Sequence, residues 1–264
     1  MPTHALLGAT GATGSAILRA LLLDPPIDLH LNILVRSKSK LIAAFPDLTT
    51  KPTFRITIKE GPISSVEDMK SCIRGADVIH MCIATNVPTA SNRVAQDVIE
   101  TIVAALRELR EDVGADFAVP TVFVLRSGSL NHEFNKAVPA PVHTFLMYAL
   151  YYVYHDLDLA CQYLESVAEG GGNSLLYYIY VDPPSIHDCG PTLTGFKFTA
   201  DVKATPPSQG ISYADLGASF PEIADRRKEF RGQAVIVSAT GKVEERWLPL
   251  VSNMPQGLKS RIIG

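Results

Sequence analysis

The chain has 264 residues, 47% of them hydrophobic, and a formal net charge of −3 at pH 7. That length and apolar content support one α/β unit with a large buried core. A pI of about 6.2 and mean hydropathy of +0.14 give no electrostatic footprint for nucleic acid or an anionic membrane surface. Four cysteines (Cys72, Cys82, Cys161, Cys189) lie far apart without metal-ligand spacing. They read as reduced core thiols of a cytoplasmic protein, and no metal is expected. The N-terminus lacks the basic segment and apolar run of a secretory leader. The longest apolar stretch, 145–154, is about half of the ~20 residues that a membrane-spanning helix needs.

In chain order, short apolar strands alternate with amphipathic helices. Residues 4–8 read as a strand, 12–23 as a helix and 31–35 as a second strand. A short helix at about 38–45 stops at Pro46, and 54–58 alternates as a third strand. Ser64 and Glu67 have capping-box spacing, which predicts a helix to about Arg74, stopped by Gly75. Residues 77–83 form the near-continuous apolar run of a strand covered on both faces. A helix over 91–112, a strand over 119–125 and a long helix over 141–169 ended by Gly170-Gly171-Gly172 follow. A sixth strand over 175–181 closes at Pro183-Pro184. The pattern then loosens: 185–210 is rich in Gly, Pro, Ser and Thr, with one edge strand at 195–199. Ser212 stands where a helix N-cap belongs, and 233–238 is the last strand. No repeat or linker divides the chain. The alternation predicts a Rossmann-type doubly wound parallel sheet in a single α/β domain, 1–264, with a small substrate lobe built mainly after about residue 183.

The first strand meets the first helix through Gly8-Ala9-Thr10-Gly11-Ala12-Thr13-Gly14. A helix N-terminus presents unpaired backbone N–H groups and the positive end of the helix dipole, a natural seat for pyrophosphate. Gly8 suits a tight turn, Gly11 the close approach of phosphate to backbone, and Gly14 close helix packing, while Thr10 and Thr13 add hydroxyls. The second strand ends Val35-Arg36-Ser37-Lys38-Ser39-Lys40, basic and without an acid. An acidic residue there would bind the ribose 2′-hydroxyl of NAD; Arg36 and Lys40 instead suit the 2′-phosphate of NADP(H).

These pieces, together with Gly75-Ala76-Asp77-Val78-Ile79 and the late Ser212-Tyr213-Ala214-Asp215-Leu216-Gly217, resemble the NmrA-like group of atypical short-chain dehydrogenase/reductases. Within that group the opening MPTHALLGATGATGSAILR and VRSKSKL are similar to the averufin-oxidase-like oxidoreductases of fungal aromatic polyketide pathways. The resemblance implies that Gly8, Thr10, Gly11, Ala12, Thr13 and Gly14 hold the pyrophosphate and that Arg36 and Lys40 hold the adenosine phosphate. It also implies that Ala84, Thr85 and Asn86 line the ribose and nicotinamide. Ser127 and Ser129 fall where this superfamily places a substrate-orienting hydroxyl.

One familiar part is missing. Short-chain dehydrogenases carry Tyr-x-x-x-Lys on the helix after the fifth strand, the Lys lowering the Tyr pKa. Here no lysine occurs between Lys136 and Lys197. Tyr151 and His155 share a helical face, so Tyr151, Tyr154, His155 and the loop His132 become the candidate acids and bases, beside packing as the alternative for an aromatic-rich helix. Three activities stay open. The first is an NADP(H)-dependent oxidoreductase of secondary metabolism acting on a polycyclic aromatic polyketide (anthraquinone or xanthone type). The second is a redox-neutral isomerase, dehydratase or cyclase, and the third a non-catalytic NADP-sensing regulator. The substrate pocket is expected among Asn131–Phe134, the Tyr148–His155 face and the 186–198 loop. A small aromatic molecule is the expected partner, with no nucleic acid, no membrane and a homodimer as the candidate assembly.

Overall fold

The computed structural model describes residues 1–50, 54–85, 87–136, 139–168, 174–201, 208, 210–246 and 254–263. The chain runs β1 (Thr3–Leu7), α1 (Ala12–Leu23), β2 (His30–Val35), α2 (Lys38–Ala44), α3 (Asp47–Thr50), β3 (Arg55–Glu60), α4 (Val66–Ile73), β4 (Val78–Met81) and α5 (Val94–Val113). It continues with β5 (Thr121–Leu125), α6 (His132–Asn135), α7 (Ala140–Ala149), α8 (Tyr151–Ala168), β6 (Tyr177–Asp182), β7 (Ser185–His187) and β8 (Phe196–Thr199). Then come β9 (Gly210–Ser212), α9 (Tyr213–Asp225), α10 (Arg227–Phe230), β10 (Gln233–Ala239) and α11 (Met254–Ile263).

Eight strands make one sheet in the order β3-β2-β1-β4-β5-β6-β10-β8, parallel except for the antiparallel edge strand β8. β7 and β9 form a separate two-stranded parallel ladder. The expected Rossmann-type α/β sheet is therefore present. Helices α4, α5 and α8 cover one face, packing Met69, Ile102 and Leu164 on it, and α1 and α9 cover the other with Ile17, Leu216 and Phe220. Burial on both faces explains why β1, β4 and β5 read as unbroken apolar runs. On the second face a Cβ at Gly217 would sit 2.5 Å from the carbonyl carbon of Ala16, so glycine there sets how closely α9 approaches α1.

That face also encloses two histidines. His4 and His80 are buried, with His80 Nε2 3.2 Å from His4 Nδ1, and the His80 ring stands edge-on to Phe123. Burial, aided by the Arg227 charge, lowers the His4 pKa to about 4; burial and His4 itself push His80 well below its ordinary value.

Several local expectations are corrected. Ser65, not Ser64, caps α4, accepting from the backbone N–H of Asp68 at 3.2 Å. The long helix expected over 141–169 is two, broken at Leu150, where the Ala149 carbonyl meets Gly257 of α11 so closely that no side chain fits. Its expected stop at Gly170–Gly172 lies outside the described residues. The short α6, β7 and β9 and the C-terminal α11 carry no clear period in sequence. No described helix is long and apolar enough to cross a membrane.

Candidate cofactor and active site

The parallel register brings the expected cofactor residues to one edge. Leu7 pairs with Leu34 on β2 and with Met81 on β4, so the segments leaving β1, β2 and β4 start side by side where the strand order reverses. Gly8 turns the chain with φ +93°, and a Cβ there would lie 2.6 Å from the Cys82 carbonyl oxygen. A Cβ on Gly14 would overlap the Gly8 carbonyl oxygen, so this glycine seats α1 against its own loop. Gly11 differs: its backbone (φ −81°, ψ 168°) suits any residue, and a Cβ would meet only the Gly8 oxygen, at 3.3 Å.

Gly11 is also the N-cap of α1, with no side-chain cap, and the first turn holds no acid. The opening N–H groups of α1 thus lack a side-chain acceptor, and the exposed Thr10, Gly11 and Ala12 form the open rim of the loop, with Thr13 buried behind. Arg36 and Lys40 are exposed and make no ion pair among the described residues. Ser37 caps α2 through the Lys40 N–H, and Glu60 accepts from the Lys38 N–H at 3.2 Å, so the acid at this corner is engaged with backbone. On the other side of Gly8, Ala84 is exposed and Thr85 accepts from the Val87 N–H at 3.1 Å; Asn86 lies outside the described residues.

Beyond β5 the chain is tied to β6. Arg126 N–H donates to the Val181 carbonyl and Gly128 N–H to the Pro183 carbonyl, each at 2.9 Å. The Ser127 hydroxyl oxygen accepts from Ser129 N–H at 3.2 Å, which leaves its own proton to donate. His132 points into water, its side chain 87% exposed beside Glu133.

The α8 tyrosines separate into two groups. Tyr151 stacks on His155 with centroids 5.1 Å apart, and the Arg261 guanidinium of α11 lies 4.1 Å from its ring and 5.0 Å from that of Tyr148. The Tyr152 hydroxyl donates to the Ser260 carbonyl at 3.4 Å. These rings pack the C-terminal helix. Tyr154 stands one turn before the buried Leu157, on the row continued by Cys161 and Leu164, and is half-buried. Its hydroxyl makes no hydrogen bond with a described residue.

Several polar residues at this end of the sheet went unpredicted. Asp156, buried, accepts from Ala95 N–H (2.9 Å) and from Gln96 N–H (3.2 Å) and Nε2 (3.0 Å), and so caps α5, whose own Arg93 offers no side-chain cap. Asp215 accepts from the backbone N–H groups of Thr194 and Gly195 and from the Ser212 hydroxyl. Asp182, fully buried at the end of β6, holds Arg126 in a two-pronged ion pair. Opposite charges ending two neighbouring apolar strands were the available signal for that pair. No group of described residues has the makings of a metal site.

A parallel sheet reversing beside a glycine loop, with cations beyond the second strand, defines a dinucleotide-binding α/β protein, and the comparisons agree. The chain belongs to a family described as NAD(P)H-binding, whose model matches residues 8–227. It is 46% identical to averufin oxidase A of Dothistroma septosporum, over 99% of this chain and 92% of that one. It is 40% identical to averufin oxidase A of Aspergillus flavus, over 99% and 91%. Among solved structures, a short-chain dehydrogenase/reductase from Veillonella parvula in complex with NADP superposes with a TM-score of 0.65 at 16% identity, covering 91% of this chain and 95% of that one, a likeness of fold.

Proposed function

We propose that the protein is an NADP(H)-dependent oxidoreductase of secondary metabolism, working in the cytoplasm on a polycyclic aromatic polyketide of the anthraquinone type. The carrying observation is Gly11: neither its backbone nor its packing demands glycine strongly, and it stands at the uncapped N-terminus of α1, where a pyrophosphate needs room. Arg36 and Lys40, without ion pairs among the described residues, favour a cofactor bearing a 2′-phosphate. The class of substrate follows the averufin oxidases, which match along nearly the whole chain.

Held at residues 8–14, a nicotinamide dinucleotide would supply or take a hydride. The chain's own tasks are to hold the dinucleotide at residues 8–14 and to orient the polyketide oxygen with the Ser127 hydroxyl. The Tyr154 hydroxyl exchanges the accompanying proton, on a helix that carries no lysine. We assign the substrate lobe to the segments after about 183, chiefly the β7–β9 ladder and the 188–195 loop, within one domain. A homodimer would form through the exposed Val142, Phe145 and Tyr148 of α7.

The test is consumption of NADPH and of NADH by the pure protein with polyhydroxyanthraquinones, followed at the reduced-nicotinamide absorbance. Turnover faster with NADPH is expected. Arg36→Ala should weaken NADPH binding by roughly 10- to 100-fold while leaving NADH binding nearly unchanged, the range for losing a charge-assisted contact. Product formed without nicotinamide consumption would replace this activity by a redox-neutral one. Equal loss for both cofactors would remove Arg36 from the 2′-phosphate.

A further inference from the structure

We propose that Asp182 is a positioning residue that sets the 127–135 loop, and with it the Ser127 hydroxyl, against the α8 face carrying Tyr154. The proposal rests on the assignment of Ser127 and Tyr154 to the substrate side of the site. Asp182 is fully buried, and its carboxylate takes three donors: Arg126 Nε at 2.8 Å, Arg126 Nη2 at 2.6 Å and Asn131 Nδ2 at 2.8 Å. A buried ion pair contributes little net stability over apolar residues of the same volume, because desolvation offsets its attraction. Its specific yield is geometry, and each partner here leads to a different part of the site.

Asn131 leads to the loop. Its Oδ1 accepts from Glu133 N–H at 3.1 Å and Phe134 N–H at 3.2 Å, capping α6, while its Nδ2 faces Asp182. One amide therefore locks the helix start to the sheet, and turning it over would break both attachments. Asn135 Nδ2 at 2.7 Å and His143 Nε2 at 3.1 Å then hold the Ser129 carbonyl.

Arg126 leads to α8. Its guanidinium lies 4.3 Å from the centre of the Tyr180 ring, and the Tyr180 hydroxyl lies 2.9 Å from Glu165 Oε1 and 3.1 Å from the Cys161 carbonyl oxygen. Burial, then the neighbouring Cys161 and Glu165, hold the Tyr180 hydroxyl far above its ordinary pKa, so it stays a neutral donor. Cys161 is two turns along the row that begins at Tyr154. The loop with Ser127 and the helix with Tyr154 are thus joined through Asp182, Arg126 and Tyr180 in series.

Removing Asp182 would strand a buried guanidinium, so the informative change is Asn131→Asp. The introduced carboxyl keeps the oxygen that caps α6 but faces Asp182. Ionised, it repels that carboxylate; protonated, its O–H replaces the lost amide donor, and the like charge beside it raises its pKa. At about pH 8 the variant should show roughly tenfold lower kcat/KM than the parent and faster amide exchange over residues 127–135, recovering toward parent values near pH 6. NADPH affinity should stay unchanged. A pH profile equal to the parent's, or a loss equal at every pH, would overturn the proposal.

Asn131→Ser is the second arm, keeping a cap oxygen without a donor that reaches Asp182. It should raise KM and loosen the 127–135 amides at all pH values, and parental exchange would overturn the assignment. Should the parent turn over no aromatic substrate, the oxidoreductase proposal fails by itself. The exchange of residues 127–135 then still decides: pH-dependent loosening in Asn131→Asp upholds the clamp, and unaltered protection overturns it.

Discussion

A Cβ on Gly14 would overlap the Gly8 carbonyl oxygen, and one on Gly8 would press on Cys82 from a left-handed backbone, so the fold itself requires both glycines. Gly11 faces the rim, where a Cβ has only a 3.3 Å contact that a shift of a few tenths of an ångström relieves. Stability and binding should therefore separate. Gly11→Ala should change unfolding free energy by no more than ~1 kcal/mol yet weaken NADPH binding at least about tenfold. Gly14→Ala should cost several times more stability, on the order of 3 kcal/mol, from overpacking against backbone. Thermal melts and a fluorescence titration would measure both, and parental NADPH affinity in Gly11→Ala would remove the pyrophosphate from this loop. The tasks of Gly8 and Gly14 were legible because spacing and backbone freedom are local properties. The carboxylates Asp156, Asp182 and Asp215 were not, because each serves donors far away in sequence.

Helix α8 shows the same division across an element. Its sequence places Tyr151 and His155 together on one face, and the structure keeps them stacked, but against Arg261 of α11. The Tyr151 ring thus lies between the exposed His155 and the Arg261 guanidinium. Tyr154 instead lies on the row of Leu157, Cys161 and Leu164, with no hydrogen bond among the described residues. Tyr154→Phe should lower kcat about 100-fold or more, the usual loss for a general acid, with NADPH affinity near normal. Tyr151→Phe keeps the ring over Arg261 and should leave kcat within about threefold, since no charge-assisted bond is lost. Steady-state rates of the two variants would decide, and the reverse ranking would return the role to Tyr151. The break at Leu150 and the docking of α11 on Gly257 were hidden because an apolar aromatic run reads alike whether it faces a core, a ligand or another helix.

For the whole molecule, the buried pair His4 and His80 ties stability to pH. Their folded pKa values lie below the ordinary 6.5, His4 at about 4, so the unfolded chain takes protons that the native state refuses. Stability from this source is complete above about pH 6.5 and is lost as pH falls toward 4, by about 1.4 kcal/mol per unit for each such group. Denaturant unfolding between about pH 6.5 and 5, above the range where carboxylates titrate, should show this slope. The double variant His4→Leu/His80→Leu should flatten it, and a slope unchanged by that variant would assign the pH dependence elsewhere. Both residues stood in plain view in the sequence, but only the packing of β1 against β4 brings their rings together.

The sequence by itself determined the alternation of strands and helices, the parallel sheet, the glycine loop and the basic end of the second strand. Each depends on residues within a few positions of one another, where periodicity and backbone sterics act. Tertiary structure decided which polar groups are spent and which stay free. Arg126 and Asp182 are 56 positions apart and Asp156 and Ala95 are 61, yet each pair is in hydrogen-bond contact. Whether a buried charge or phenol is satisfied depends on what folds over it. That is why Tyr151, Tyr154 and His155 looked alike in the chain and differ in the fold.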